Sequence, residues 1–375
     1  MRIPIFGGIK HGGIIISGIL LSSLLFAACG NGNILEPQGP VAASEAGLFW
    51  FILIVATIVF VAVEGMLIYS IVRYRARPNT PEPRQLHGNN TLEVIWTVAP
   101  SLFLFAVLAG TIYTMFQLQQ PAGSHIEVQA IGHQWWWEFK YPTQNISTAD
   151  SLYVPKDTVV QVDLVSNNVI HSFWVPKLAG KTDDIPGHNN HVWFKADQAG
   201  TYLGECAEYC GTQHAHMEFN VVVLNSVNDF NTWLSSQQQA AQNSTEALAA
   251  QGKQVFSGAG GCAGCHGIVG VNIANWSDDK TSSGLPVTSL VGPNLTHFGS
   301  RSLIAGGVLA ASDGHTWMDD PACSVASGHI ADKAKCGLYQ WLHDPQGVKP
   351  GNDMNIGPLT DDQIDQLAAY LESLK

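Results

Sequence analysis

The sequence predicts three consecutive parts: a two-helix transmembrane hairpin, an all-β sandwich and a small all-α domain. Two long apolar runs near the N-terminus predict the hairpin, and a series of short β-branched and aromatic runs predicts the sandwich. Helical patterns return around a C-x-x-C-H motif in the last third. Charged residues make up 13% of the 375 residues, against about 25% in an ordinary soluble domain, which fits a chain that lies partly in lipid.

Residues 1–28 have the composition of a secretory signal peptide, with basic residues followed by an apolar run that ends in small residues before Cys29. The four residues that end at Cys29 resemble a lipoprotein cleavage site, although Phe26 stands where an aliphatic residue is usual. Lipidation of Cys29 and an uncleaved first helix therefore both stay open. Residues 29–46 are expected to form an outer N-terminal segment.

Residues 47–117 predict the hairpin, with helices over about 48–72 and 94–116. Each apolar run is long enough to cross a hydrocarbon core of about 30 Å. The connection carries four arginines and a single acid: Arg73, Arg75, Arg77, Arg84 and Glu82. Because basic loops stay in the cytoplasm, the rest of the chain is predicted to lie on the outer face.

The hairpin contains two glutamates of interest. Glu64 lies inside the first predicted helix, where a carboxylate is by default functional or paired. We expect Glu64 to be neutral and hydrogen-bonded to another subunit. Glu93 stands at the start of the second helix, where a solvated carboxylate would stabilise the positive end of the helix dipole.

Residues 122–224 predict an antiparallel β-sandwich. Its strand-like runs are separated by Pro, Gly, Asn and Asp: Ile126–Ile131, Thr158–Val165, His191–Lys195 and Phe219–Leu224. The aromatic block Gly132–Phe139, taken alone, predicts another strand of the sandwich core. The sandwich is therefore expected to be the scaffold on which any functional loops stand.

One stretch of this domain carries the motif C-x3-C-x3-H-x2-M, formed by Cys206, Cys210, His214 and Met217. Sulfur and imidazole are the ligands that copper prefers. Two cysteines could bridge a pair of copper ions, each of which needs one histidine, and His171 is the best candidate for the second. The alternatives are a disulfide or a zinc site, but zinc would not call for the methionine.

A change to Ser, Gln, Asn and Ala over residues 225–245 predicts a flexible linker to a domain over residues 246–375. In that domain Cys262, Cys265 and His266 form the C-x-x-C-H signature of c-type haem attachment. The thiols would bond to the haem vinyl groups, and the histidine would bind the iron. A redox C-x-x-C is the alternative, which the lack of a βαβ pattern weakens.

A methionine is expected as the sixth iron ligand, because methionine raises the reduction potential. Met354 lies just before the last predicted helix, Thr360–Leu374, and Met318 is the alternative. The turn Gly292–Leu295 is expected either to pack beside the iron-binding histidine or to be an ordinary turn.

The first and last helices of this domain are expected to pack together around Phe256. The last helix has one apolar face, which consists of Ile364, Leu367, Ala368 and Leu371. Residues 312–337 have the character of an insertion, which a disulfide between Cys323 and Cys336 could close, since free thiols are unusual outside the cytoplasm.

The copper motif, the aromatic block and the haem motif together resemble subunit II of bacterial cytochrome c oxidases, a haem-copper oxidase family, in the form with a fused C-terminal cytochrome c domain. The resemblance implies a cupredoxin sandwich with a binuclear copper centre, CuA, and a class I cytochrome c domain. It makes Trp135 the aromatic residue through which electrons enter. It implies six copper ligands, of which Glu208 contributes its backbone carbonyl: His171, Cys206, Glu208, Cys210, His214 and Met217.

The same resemblance suggests further roles. Glu93 matches an acid at the mouth of a proton channel into subunit I, and the side chain of Glu208 could face a magnesium ion at that interface. Asp183 matches an acid near the interface, although a surface turn is an equal alternative. His188 stands where the family has arginine, so contacts of that arginine do not carry over.

The implied function is electron transfer from cytochrome c, or from a membrane donor, through haem c and CuA to subunit I, where oxygen becomes water and protons are pumped. Partners would be subunits I and III. The net charge of −12 argues against nucleic acid and suits a basic carrier.

The haem domain is predicted to be a tethered donor without a permanent interface. The alternative is a membrane-anchored copper carrier with a redox-sensing cytochrome domain; quinol oxidases lack the copper ligands.

Overall fold

A computed structural model describes residues 32–75, 85, 88–241, 244–273, 291–310, 316 and 319–375. Several features of interest lie outside the described residues: the predicted signal peptide with Cys29, the loop residues Arg77, Glu82 and Arg84, and Met318. The described residues form two long helices, a β-sandwich and a helical C-terminal domain.

The first two helices, α1 (Pro40–Arg73) and α2 (Asn90–Gln117), are in contact, and both are long and apolar enough to cross a membrane. Helix α1 begins at Pro40, earlier than predicted, because its first turn is anchored on the sandwich: the Ala42 amide lies 3.3 Å from the carbonyl oxygen of Leu178. Proline suits a first turn, where no backbone donor is needed. Asn89 caps α2 through its side-chain oxygen, which accepts from two backbone amides.

The sandwich has ten strands: β1 (Ile126–His133), β2 (Trp136–Tyr141), β3 (Ile146–Ala149), β4 (Ser151–Pro155), β5 (Val159–Ser166), β6 (His171–Val175), β7 (Ala179–Asp184), β8 (Asn190–Lys195), β9 (Gly200–Cys206) and β10 (Glu218–Leu224). They form two sheets, in the orders β3-β2-β1-β5-β8 and β4-β10-β9-β6-β7. Two pairs, β1 with β5 and β4 with β10, are parallel, so the prediction of a wholly antiparallel sandwich is wrong. The chain leaves the first sheet after β3, forms β4 in the second sheet and returns to the first sheet as β5. Strand β5 then pairs with β1 and runs in the same direction.

Buried aromatic rings fill the space between the two sheets. The rings of Phe173 and Phe219 stack with centroids 4.9 Å apart, and Trp137 lies 5.3 Å from Phe219. Trp137 and Phe139 are fully buried, as expected for an aromatic core strand, whereas Trp135 and Trp136 are only half-buried. The sandwich therefore has a rigid core on which exposed loops can be held in place.

The predicted flexible linker is wrong over half of its length, because helix α3 (Val227–Gln237) occupies it. Ser226 caps this helix by accepting from the Asp229 amide, and Phe230 is buried against the sandwich. Trp233 stacks on Tyr153 with ring centroids 4.5 Å apart. Apolar residues at helical spacing within a polar run thus fix the chain to the sandwich surface.

The C-terminal domain comprises helices α4 (Ala247–Ser257), α5 (Gly337–His343), α6 (Pro345–Val348) and α7 (Asp361–Ser373), and a short hairpin, β11 (Leu303–Ile304) with β12 (Leu309–Ala310). Helices α4 and α7 pack together, and the predicted apolar face of α7 is buried. The rings of Phe256 and Tyr370 lie 5.9 Å apart. The expected Cys323–Cys336 disulfide is confirmed, with an S–S distance of 2.08 Å.

Gly252 on α4 packs directly against α7. A Cβ atom there would overlap the Gln366 carbonyl oxygen and lie 2.7 Å from Cβ of Tyr370. Alanine would gain about 1 kcal/mol of helix propensity, whereas overpacking against backbone costs about 1–3 kcal/mol, so the clash should dominate. We expect Gly252→Ala to lower the free energy of unfolding of this domain by up to about 2 kcal/mol in a denaturant titration. Gly357→Ala, at a position with open space, is the control and should change it little.

The C-terminal domain contacts the sandwich directly. The Glu218 amide donates to the Gly306 carbonyl at 3.0 Å, and Nε2 of Gln213 donates to the Pro350 carbonyl at 2.8 Å. The structure therefore shows a contact between the two domains, whereas the sequence suggested a tethered domain without a permanent interface. Because two of these groups are backbone carbonyls, whose positions are fixed by the local fold, the contacts define a register between the domains.

Candidate copper and haem sites

The predicted copper-binding side chains converge at one end of the sandwich. His171 begins β6, Cys206 ends β9, and Cys210, His214 and Met217 follow on one loop. The two sulfur atoms of the cysteines lie 3.8 Å apart. The Cys206 sulfur lies 3.9 Å from Nδ1 of His171, and the Cys210 sulfur lies 3.7 Å from Nδ1 of His214. Each thiol thus has its own imidazole, as a two-copper site requires.

Two weaker donors complete the set. The sulfur of Met217 lies 3.8 Å from that of Cys210, and the Glu208 carbonyl oxygen lies 3.3 Å from the Cys206 sulfur. His171 and Met217 are fully buried, and both cysteines are nearly so. Soft sulfur and imidazole donors in a dry pocket suit copper, so the residues present fit a binuclear centre.

The two thiols have opposite pKa shifts. A hydrogen bond from Cys210 lowers the pKa of Cys206, and the neighbouring Cys206 sulfur together with burial raises the pKa of Cys210. The pair therefore releases one proton readily and keeps the other. A bound cation would displace the second proton, since thiolates are the metal ligands.

The structure adds two residues to the copper site that the sequence did not indicate. Gln134 donates from Nε2 to the Cys210 carbonyl at 2.8 Å. Asp184 is paired with His171 in the β6–β7 register and is fully buried, and burial raises its pKa to about 8. The sequence pointed instead to Asp183, which is half-buried and whose carbonyl accepts from Asn190 at 2.8 Å.

Trp135 links the copper-site loop to the C-terminal domain. Its Nε1 donates to the Cys210 carbonyl at 3.1 Å, and Trp135 is one of the residues that line a cavity in the neighbouring domain. Trp136 and Gln134 line the same cavity. The sandwich therefore closes one side of this cavity.

This cavity has a volume of about 420 Å³ and contains all the predicted haem-binding residues: Cys262, Cys265, His266 and Met354. Its other walls are largely apolar, with side chains that include Phe298, Leu338 and Leu371. Cys262 and Cys265 are free thiols and form no disulfide. Free thiols beside an apolar cavity fit covalent attachment of a haem and do not favour a redox disulfide.

The imidazole of His266 is oriented by its surroundings. Its Nδ1 donates to the Pro293 carbonyl at 2.8 Å, which leaves Nε2 as the nitrogen available to a metal. Burial lowers the pKa of His266, so the ring is kept neutral. A Cβ atom at Gly292 would lie 2.5 Å from Cε1 of the ring, so only glycine fits there. The turn Gly292–Leu295 thus packs beside the histidine, as predicted.

The two membrane glutamates lie in helices α1 and α2, apart from these sites, whereas Glu208 adjoins the copper donors through its backbone carbonyl. Glu93 is exposed in the first turn of α2, and Glu64 is half-buried within α1. Glu208 is half-buried and His188 is exposed. Their predicted roles depend on a partner subunit and stay predictions.

The fold and the copper-site donors define a class of protein: a membrane-anchored cupredoxin-like subunit of a respiratory oxidase. The family profile described as the periplasmic domain of cytochrome c oxidase subunit II matches residues 143–227, and that of its transmembrane domain matches residues 34–112. The chain belongs to the cytochrome c oxidase subunit II family. It is thus a subunit of an oxidoreductase that works with subunit I, and it carries no oxygen-reducing site.

The chain is similar to several known proteins. Cytochrome c oxidase subunit 2 of Alkalihalophilus pseudofirmus is 32% identical over 365 residues, which cover 95% of each chain. Quinol oxidase subunit 2 of Bacillus spizizenii is 32% identical over 234 residues, 59% of this chain and 71% of the relative. The solved periplasmic domain of cytochrome oxidase subunit II from Bradyrhizobium japonicum is 28% identical and covers 32% of this chain and 96% of its own, with a TM-score of 0.30.

Proposed function

We propose that this chain is the subunit through which electrons enter a cytochrome c oxidase, with CuA in the sandwich and haem c in the C-terminal domain. The observation that carries the proposal is the position of Trp135, which is hydrogen-bonded to the Cys210 carbonyl and also lines the cavity of the C-x-x-C-H motif. Two redox sites that are joined by one residue are suited to exchanging electrons.

The donor atoms at each site indicate which residues would hold copper and which would hold haem. Copper would be held by the side chains of His171, Cys206, Cys210, His214 and Met217, with the Glu208 carbonyl as a sixth donor. Haem would be attached to Cys262 and Cys265, with His266 and Met354 on the iron. When bound, the copper pair and the haem each take up and release one electron.

Electrons from a cytochrome c or another donor would enter at the C-terminal domain and reach the copper ligands through Trp135. They would then pass to the haem of subunit I, where oxygen is reduced to water and protons are translocated. Trp135 is suited to this position because its indole donates to the carbonyl of a copper ligand and the same residue lines the cavity.

The membrane arrangement is part of the proposal. Both soluble domains would lie on the outer face of a bacterial membrane, anchored by α1 and α2 as a two-pass hairpin and bound to subunits I and III. Glu93 would take up protons at the start of α2. The Glu208 side chain would face magnesium at the subunit I interface.

Two alternatives differ in what they predict for copper. The similarity to a quinol oxidase subunit extends over part of the chain, but the complete set of copper donors favours a cytochrome c oxidase. A copper carrier would release its copper readily and would not bind subunit I.

Purification of the tagged full chain from its native membrane distinguishes these readings. We expect subunit I with its haem to copurify and the copper to remain after dialysis against a chelator. Exchangeable copper and the absence of subunit I would instead support the carrier.

A further inference from the structure

We propose that Lys349 is a positioning residue that keeps the C-terminal domain docked on the sandwich, with the haem cavity held at a fixed position against Trp135. The inference rests on the proposed function, because it concerns how the two redox sites are placed. It replaces the picture of a tethered donor that docks by diffusion. Lys349 is 2% exposed, although lysine is almost never buried without partners.

The lysine side chain joins three segments of the chain. Its Nζ donates to the backbone carbonyls of Trp135 at 2.6 Å, His216 at 2.7 Å and Ala305 at 2.7 Å. An ammonium group has three donors, and all three are used. Two of the acceptors belong to the sandwich and one belongs to the C-terminal domain, so the lysine can be satisfied only while the domains are in contact.

Buried charge makes the arrangement specific. An ammonium group taken out of water costs several kcal/mol unless its hydrogen bonds are replaced. Burial lowers the pKa of Lys349 to about 8, while the nearby carboxylates of Asp150 and Glu218 favour its positive charge. A displaced interface would leave the lysine or its carbonyl acceptors unpaired, so alternative docking positions are disfavoured.

The lysine also fixes the loop that carries the predicted iron ligand. Pro350, the next residue, accepts from Gln213 of the copper-site loop at 2.8 Å, and Asn352 donates from Nδ2 to the Lys349 carbonyl at 2.6 Å. Asn352 in turn accepts from the Met354 amide at 2.7 Å. A short chain of hydrogen bonds therefore runs from the Trp135 backbone to the Met354 backbone.

A docked arrangement and a diffusing one predict different kinetics. If the domains stay in contact, one electron passes from ferrous haem to the oxidised copper pair at a rate that does not depend on solvent viscosity. If the haem domain must find the sandwich by diffusion on its tether, the rate falls as viscosity rises. In the purified holoprotein, a photoexcited ruthenium complex can reduce the haem in a flash. The rate of electron transfer to the copper pair is then read from the change in haem absorbance.

The first variant is Lys349→Met, which removes the ammonium group and keeps an unbranched side chain. We expect normal haem and copper spectra, a transfer rate about 10–100-fold lower and a new dependence on viscosity, because small misplacements of reacting groups have effects of this size. Lys335→Met is the matched control. Lys335 is an exposed lysine of the same domain, paired with Asp332, and its loss should leave the rate unchanged.

A second variant disturbs the same contact from the opposite side. Gly306 has a φ of +63°, and a Cβ atom there would lie 2.5 Å from both Nζ of Lys349 and the Trp135 carbonyl oxygen. Gly328 has a φ of +87° with no atom within 4 Å, so Gly328→Ala carries the backbone strain without the clash. We expect Gly306→Ala to slow the transfer and Gly328→Ala to leave it unchanged.

The possible results separate the two proposals. Wild-type protein without a covalent haem spectrum or without copper would contradict the proposed function. If the wild-type protein holds both groups but its transfer rate depends on viscosity, the result contradicts the docking proposal and leaves the proposed function intact. This holds whatever the variants do. Unchanged rates in both Lys349→Met and Gly306→Ala, with both groups bound, would also overturn it. A viscosity-independent wild-type rate that is lost in either variant supports it.

Discussion

Replacement of Cys210 by serine is expected to eliminate the binuclear copper centre and, with it, oxygen uptake by the assembled oxidase. The Cys210 sulfur lies within 3.8 Å of three other donors: the Cys206 sulfur, the His214 imidazole and the Met217 sulfur. Loss of an outer partner of a metal ligand costs about 10–100-fold in metal affinity, and loss of a bridging thiolate should cost more. Metal analysis of the purified chain would measure the loss of copper.

His216→Gln is the matched control for this experiment. His216 lies on the same loop and is exposed, and its backbone carbonyl, which serves Lys349, is unaffected by the change. We expect full copper content and normal oxygen uptake. Normal copper content and uptake in the Cys210→Ser protein would show that the thiol is not a ligand.

Replacement of both Cys262 and Cys265 by alanine is expected to prevent the C-terminal domain from folding stably, because its core is built around the cavity. Without haem, the apolar residues that surround this cavity would be exposed to water, which is strongly unfavourable. Native domains are stable by about 5–15 kcal/mol, so little or no stability would remain. Limited proteolysis should remove this domain and leave the sandwich, with its copper, intact.

The second cysteine pair of the same domain supplies the control. Changing Cys323 and Cys336 to alanine removes a disulfide that closes a short loop, which is worth about 3 kcal/mol. That protein should keep covalent haem and unfold at a lower temperature. A stable, protease-resistant C-terminal domain in the Cys262/Cys265 double variant would contradict its dependence on haem.

The sequence allowed the local motifs to be predicted well. The donors Cys206, Cys210, His214 and Met217 lie within one loop, so their spacing alone placed them together. His171 is distant in sequence, and its assignment depended on a resemblance that the geometry supports. The apolar face of α7 was predictable from helical periodicity, because burial on one side requires it.

The contacts between distant segments could not be predicted. Helix α3 was assigned to a linker because its polar composition masks Phe230 and Trp233, whose helical spacing was the available signal. The roles of Asp184 and Lys349 depend on which carbonyls and thiols fold around them, and no motif marks either residue. Long-range docking of this kind is a property of the packed surfaces and not of a short stretch of sequence.

One chain should carry both a binuclear copper centre and a haem. Electron paramagnetic resonance of the oxidised full chain, with copper and iron counted in the same sample, measures both groups at once. We expect a multi-line copper signal from one unpaired electron shared over two coppers, with two coppers for each haem iron. A signal from a single copper, or no copper signal with full metal content, would contradict it.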